Sequence, residues 1–184
     1  MKGIVFTEFL EMVDSRFGEK VCDHIIDISD LPSNGSYTAV GTYGCNEIIT
    51  LVEALSEEMN IDVPTLTKTF GEYLFQTFTK KYNTFFDAKT NKGCLNFLMQ
   101  INDVIHPEVR KLYPDAELPH FAHQWEDENT LVMIYTSNRP FAKLAEGLII
   151  GAIRHFNENI TLTVNDLSQG QNTSCRFTLT KQHD

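Results

Sequence analysis

The chain has 184 residues, enough for one medium domain with a sizeable core and too few for two comfortable ones. Apolar residues make up 42% and charged residues 22%, an ordinary globular composition that argues against disorder. The net charge of −10 disfavours nucleic acid and anionic membrane as partners, because both need a basic surface.

The opening MKGIVFTEFLEMVD carries acidic residues among apolar ones and has no small-residue cleavage site. It reads as an amphipathic helix over residues 4–16, stopped by Gly18, and not as a signal peptide. No apolar run reaches the length of a membrane span, so a cytoplasmic protein is expected. EKVCDHIID is a second short helix, and LPSNGSY is a turn-rich break. Residues 45–60 place Ile48, Ile49, Leu51, Val52 and Leu55 on one helical side, with Asn60 able to end it. A further helix starts near Pro64 and runs to about residue 81. KGCLNFLMQINDVI, residues 92–105, is amphipathic, with 94, 97, 98, 101 and 105 on one stripe.

From about residue 119 the pattern changes. HFAHQWED and NTLVMIYTS read as strands joined by the polar turn EDEN. RPFAKLAEGLIIGAIRHF is a helix with apolar residues three and four apart, and Pro140 fits its first position. NITLTVND and CRFTLTK, separated by SQGQNTS, are two more strands. Helices first, then strands around one helix, predict an α+β fold with a small antiparallel sheet.

Two features carry chemistry. Period two in a strand points Tyr135, Ser137 and, if the chain stays extended, Arg139 the same way. Hydroxyls and a guanidinium fork beside a helix start suit a carboxylate or phosphate. The same spacing also fits a cross-strand Tyr, a helix-capping Ser and a solvated Arg. Second, His106 follows the apolar helix. On continued helix geometry it lies within about 20° of Leu95 and Met99, and Pro107 marks a boundary or kink there. A His aimed from a helix end into apolar space can be an axial haem ligand; it can equally be a half-buried His bonded to a carbonyl. His120 and His123 fall on opposite faces of their strand, which speaks against a shared metal. Gly147 and Gly151 make a G-x-x-x-G that in a soluble helix means close packing. The four Cys show neither C-x-x-C nor the covalent haem signature C-x-x-C-H.

In combination, MKGIVF, FGEYLFQTF, NFLMQINDVIHPEVRKLYPDAELPHF, YTSNR and AEGLIIGAIRHF resemble, in order and over essentially the whole chain, the H-NOX family of haem nitric oxide/oxygen binding domains. These are the haem sensors of bacteria and of soluble guanylate cyclase, and the likeness is to a stand-alone bacterial member. The resemblance implies an α+β fold. A distal helical subdomain, about residues 1–65, would precede a mixed subdomain, about 66–184, with a four-stranded antiparallel sheet and non-covalent haem b between the two. It makes His106 the proximal iron ligand. Tyr135, Ser137 and Arg139 become donors to the haem propionates, and Pro119 the residue pressing on the porphyrin. Gly71 and Gly147 become the glycines about which the subdomains shift. The positions matching the oxygen-binding relatives' distal donors hold Leu144, Phe9 and Leu74, with Val5 nearby. None offers a hydrogen bond, so NO and CO are favoured over O₂.

The resemblance thus implies a non-enzymatic NO sensor that signals through iron–His106 cleavage and subdomain movement. Its partner would be a histidine kinase or a cyclic-di-GMP cyclase or phosphodiesterase. The places matching some relatives' zinc ligands hold Ala142, Val164, Leu167 and Cys175, so no zinc is expected. The rival reading is a haem-free protein-interaction adaptor.

Overall fold

The computed structural model describes residues 1–86, 91–170 and 172–182; Gln171 of the SQGQNTS turn falls outside them. The first half is helical: α1 (Gly3–Phe17), α2 (Glu19–Ile28), α3 (Cys45–Met59) and α4 (Val63–Lys81). Asn60, at φ 52°, turns left-handed to end α3, as the short polar side chain of Asn permits. Asp62 caps α4 by accepting from the Thr65 amide at 2.9 Å, and Pro64 sits in the first turn, where no amide is needed.

The expected helix over 92–105 is interrupted. After α5 (Cys94–Met99) the chain widens into a π turn over Ile101–Ile105, then continues as α6 (His106–Leu112). The Ile105 amide reaches back five residues to the Gln100 carbonyl at 3.1 Å, and the His106 amide reaches Ile101. In a regular α-helix the ring of Pro107 would clash with the carbonyl four residues earlier; the wider turn opens that room. His106 is therefore not where continued α-helix geometry puts it. It starts a helix of its own.

β1 (His120–Trp125), β2 (Thr130–Ser137), β3 (Ile160–Asp166) and β4 (Thr173–Lys181) form an antiparallel sheet ordered β1-β2-β4-β3. Cys175, Phe177 and Leu179 alternate inward along β4, as period two requires. Between β2 and β3 runs α7 (Ala142–Phe156), ended by left-handed Asn157. Pro140 is not its first residue. The chain bends at 138–140 first: Ser137 Oγ accepts from the Arg139 amide at 3.0 Å, and the Phe141 amide donates to the Arg139 carbonyl at 2.9 Å.

Two apolar clusters result. One gathers α1–α3 and the inward face of α4 around Phe6, Phe9, Leu51, Leu55, Phe70 and Leu74. The other joins the sheet, α5 and α7 around Phe75, Phe97, Phe121, Tyr135, Ile149 and Phe177. Phe78 and Leu148 touch both. Helices α4 and α7 cross at glycines. A Cβ on Gly147 would fall 2.0 Å from the Lys68 carbonyl oxygen, and one on Gly71 2.4 Å from that of Leu144. A Cβ on Gly151 would fall 2.6 Å from the Cβ of Phe75. The G-x-x-x-G is a close-packing device, as its sequence suggests.

Candidate functional site

His106, the first residue of α6 after the π turn, packs against β1. Its ring lies 6.2 Å from that of Phe121, centroid to centroid, and Phe121 meets Tyr135 edge-on at 5.5 Å. Phe121 and Tyr135 are direct partners across β1 and β2, which explains the contact. Burial, with the Arg110 and His120 charges adding to it, holds the His106 imidazole down to about 4. At neutral pH it is uncharged, with a nitrogen lone pair to offer a metal. Pro119 is half-buried at the head of β1.

At this same, C-terminal end of β2 the donors collect. Tyr135 is buried, and that burial pushes its hydroxyl up; the Ser137 hydroxyl and the Arg139 charge partly offset this. Arg139 lies past the strand end, so the 138–140 bend and not period two aims it. Its guanidinium is ion-paired with the Glu117 carboxylate. The chain's own α-amine, near Arg139 and Glu117, donates to the Tyr43 carbonyl at 2.7 Å; burial and then Arg139 lower its pKa. Of the three residues, Arg139 alone engages the Glu117 carboxylate; the Ser137 hydroxyl accepts from the Arg139 amide.

A cleft of about 280 Å³ opens beside it, walled by Val5, Ile48, Val52, Phe70, Phe141 and Leu144 among others. Two of the four expected distal residues, Val5 and Leu144, thus share one wall. Phe9 and Leu74 stand in the core behind; Phe9 packs edge-on against Phe70 at 5.2 Å. His106, Pro119 and Tyr135 are not on this cleft. Sequence reading missed two polar neighbours. Thr67 lines the cleft, but its hydroxyl donates to the Val63 carbonyl at 2.8 Å. Glu53 lines it too and is exposed.

Sequence reading also missed what ties the site together. Lys2 bonds Asp115 at 3.1 Å and Thr42 at 2.7 Å, and Thr42 bonds Asp115 at 2.7 Å. Lys2 also sits 5.3 Å above the Tyr113 ring. The segment following α6 is thereby clasped to the N-terminal helices. No local signal could reveal a contact between residues 113 positions apart.

Among the described residues, no group of three or more His, Cys, Asp or Glu is placed to hold a metal ion. Cys175 is buried and bonds the Asn165 carbonyl at 3.3 Å. No helix among them is long and apolar enough to cross a membrane.

The site thus comprises a neutral imidazole at a helix start, an ion-paired Arg139 beyond the end of β2 and an apolar cleft beside it, in an α+β domain with two apolar cores. The haem-NO-binding family model matches residues 2–164, and the chain belongs to that family. The Fe(II) unliganded H-NOX protein from K. algicida is 36% identical, with a TM-score of 0.92 over 100% of this chain and 98% of that one. The IWP-051-bound H-NOX from Shewanella woodyi, in the Fe(II)CO state, is 34% identical over 99% and 95%, with a TM-score of 0.82. The H-NOX protein from S. oneidensis in the Fe(II)NO state is 27% identical over 100% of both, with a TM-score of 0.87. A search of curated proteins found no match.

Proposed function

We propose that this protein is a non-enzymatic haem-based sensor of nitric oxide, also able to bind CO, that disfavours O₂ and reports to a partner protein. The observation that carries the reading is His106: a neutral imidazole at the start of its own helix, one ring away from the Tyr135-Ser137-Arg139 donor corner. The residues fit non-covalent haem b. His106 would hold the iron, and Tyr135, Ser137 and Arg139 would hold the propionates. Pro119 would press on the ring. Val5, Phe9, Leu74 and Leu144 would furnish the gas side. Haem, when bound, supplies a ferrous iron with one position open to a diatomic gas.

Everything else falls to the chain. The distal side chains are hydrocarbon, and the Thr67 hydroxyl is committed to its own helix. Bound O₂ gains from a donor far more than NO or CO does, so this wall discriminates by withholding one. The ligand would sit between subdomains of about residues 1–65 and 66–184, with α4 contributing to both cores. His106 would tie α6 to the iron, and if NO released that tie, the segment held by the Lys2–Asp115 clasp would be the part of the chain set free to move. The α4–α7 glycine crossing at Gly71 and Gly147 is the pivot in this reading. A cytoplasmic histidine kinase or cyclic-di-GMP cyclase or phosphodiesterase would read the changed surface. NO must favour one arrangement over the other for any switch to result. Zinc has no part in the scheme.

The test is His106→Gly with imidazole supplied. The variant should lose the ferrous haem spectrum, regain it with imidazole, and no longer answer NO at the partner. A spectrum and partner response unchanged without imidazole would contradict the assignment.

A further inference from the structure

We infer that Asn102 is a positioning residue for the iron ligand: it pins the π turn to β1 and so sets where His106 presents its imidazole. Asn102 lies four residues before His106, inside the π turn. Its side-chain amide donates to the Phe121 carbonyl, and the Phe121 amide donates to Asn102 Oδ1 at 3.3 Å. β1 is at the edge of the sheet. Phe121 pairs with Tyr135 across the ladder, yet both its backbone groups turn outward to Asn102. That is the geometry of a non-hydrogen-bonded pair, in which side chains across the ladder come closest.

One carboxamide therefore acts as a single residue of a missing neighbouring strand. It satisfies an edge donor and an edge acceptor at the residue whose ring stands between His106 and Tyr135. Single π turns inside helices are frequently found at functional sites, and this one is held to the sheet by a side chain. Through Phe121 the reference is β1, and through the β1–β2 register it is the same strand that carries Tyr135 and Ser137. Iron ligand and propionate donors are thus measured from one ladder. Among the described residues, no other side chain of the π turn bonds the sheet.

The inference rests on His106 being the iron ligand. Asn102→Ala removes both bonds. Asn102→Asp keeps an acceptor for the Phe121 amide but sets a carboxylate against its carbonyl, and serves if the alanine variant does not fold. Resonance Raman of the ferrous full-length protein reads the iron–imidazole stretch, and transfer to apomyoglobin reads haem loss. Either variant should shift the stretch and speed haem loss by about tenfold, the scale of one to two lost hydrogen bonds. In a His106→Gly background with free imidazole, the ligand is no longer attached to the helix. The same Asn102 change should then leave the stretch where it was. A folded Asn102 variant with an unshifted stretch overturns the inference, as does an equal shift in the His106→Gly background. If His106→Gly keeps the parent spectrum without imidazole, the ligand assignment falls and this inference with it. Imidazole dependence combined with an insensitive stretch overturns the role of Asn102 alone.

Discussion

Replacing Gly147 with Ala tests the α4–α7 crossing. The new Cβ would lie 2.0 Å from the Lys68 carbonyl oxygen and 2.9 Å from the Gly71 Cα. Both are backbone atoms and cannot swing aside. A tolerable carbon–oxygen contact needs about 1 Å more, so α7 must retreat from α4 by that amount over the crossing. Overpacking of this kind costs typically 1–3 kcal/mol, and a backbone clash belongs at about 3. Alanine's better helix propensity returns about 1 kcal/mol, leaving a net loss of about 2. For a chain of this size that lowers Tm by about 4–8 °C. The assay is thermal unfolding followed by far-UV circular dichroism, with wild type alongside. Because Gly71 abuts the Leu144 carbonyl, the same shift should displace the Leu144 side of the apolar cleft. A Tm equal to or above that of wild type would refute the close crossing and, with it, the pivot.

Leu144→Tyr places a hydroxyl on the cleft wall and should give an oxygen complex lasting long enough to record in air; a spectrum like that of wild type would show that Leu144 does not face the gas. Arg139→Ala removes the guanidinium from the carboxylate corner and should speed haem transfer to apomyoglobin, whereas unchanged retention would detach Arg139 from the propionates. In the haem-free protein, His106 has a folded pKa of about 4 against an ordinary 6.5. The unfolded chain binds the extra proton between those values, so stability is complete above about pH 6.5 and falls as pH drops toward 4. The loss is at most about 3 kcal/mol, and denaturant melts of wild type and His106→Gln should converge at acid pH. Parallel curves would refute the buried neutral imidazole.

The fold was legible where the pattern is local. Period two marks β3 and β4, the three- and four-residue spacing marks α7, and Asn60 marks the end of α3. The π turn was not legible, because Ile101 and Ile105 keep a spacing of four that reads as ordinary α-helix. Its cause, the ring of Pro107, signals only a boundary or kink. Pro140 misled for a related reason. Proline is favoured at a helix start, but here the Ser137–Arg139 bend takes two more residues before α7 begins. Tyr135 and Ser137 follow from strand alternation, whereas Arg139 owes its aim to that bend. The Asn102–Phe121 pair and the Lys2–Asp115 clasp join residues 19 and 113 positions apart, and such pairings leave no trace in periodicity.

The most direct test of haem-based NO sensing is the absorption spectrum of the purified ferrous protein, recorded without oxygen, before and after NO. The account predicts a Soret band that moves when NO is added, remains unmoved when air is admitted instead, and is lost in His106→Gly until imidazole is supplied. A colourless protein, or a stable oxygen complex in air, would contradict it.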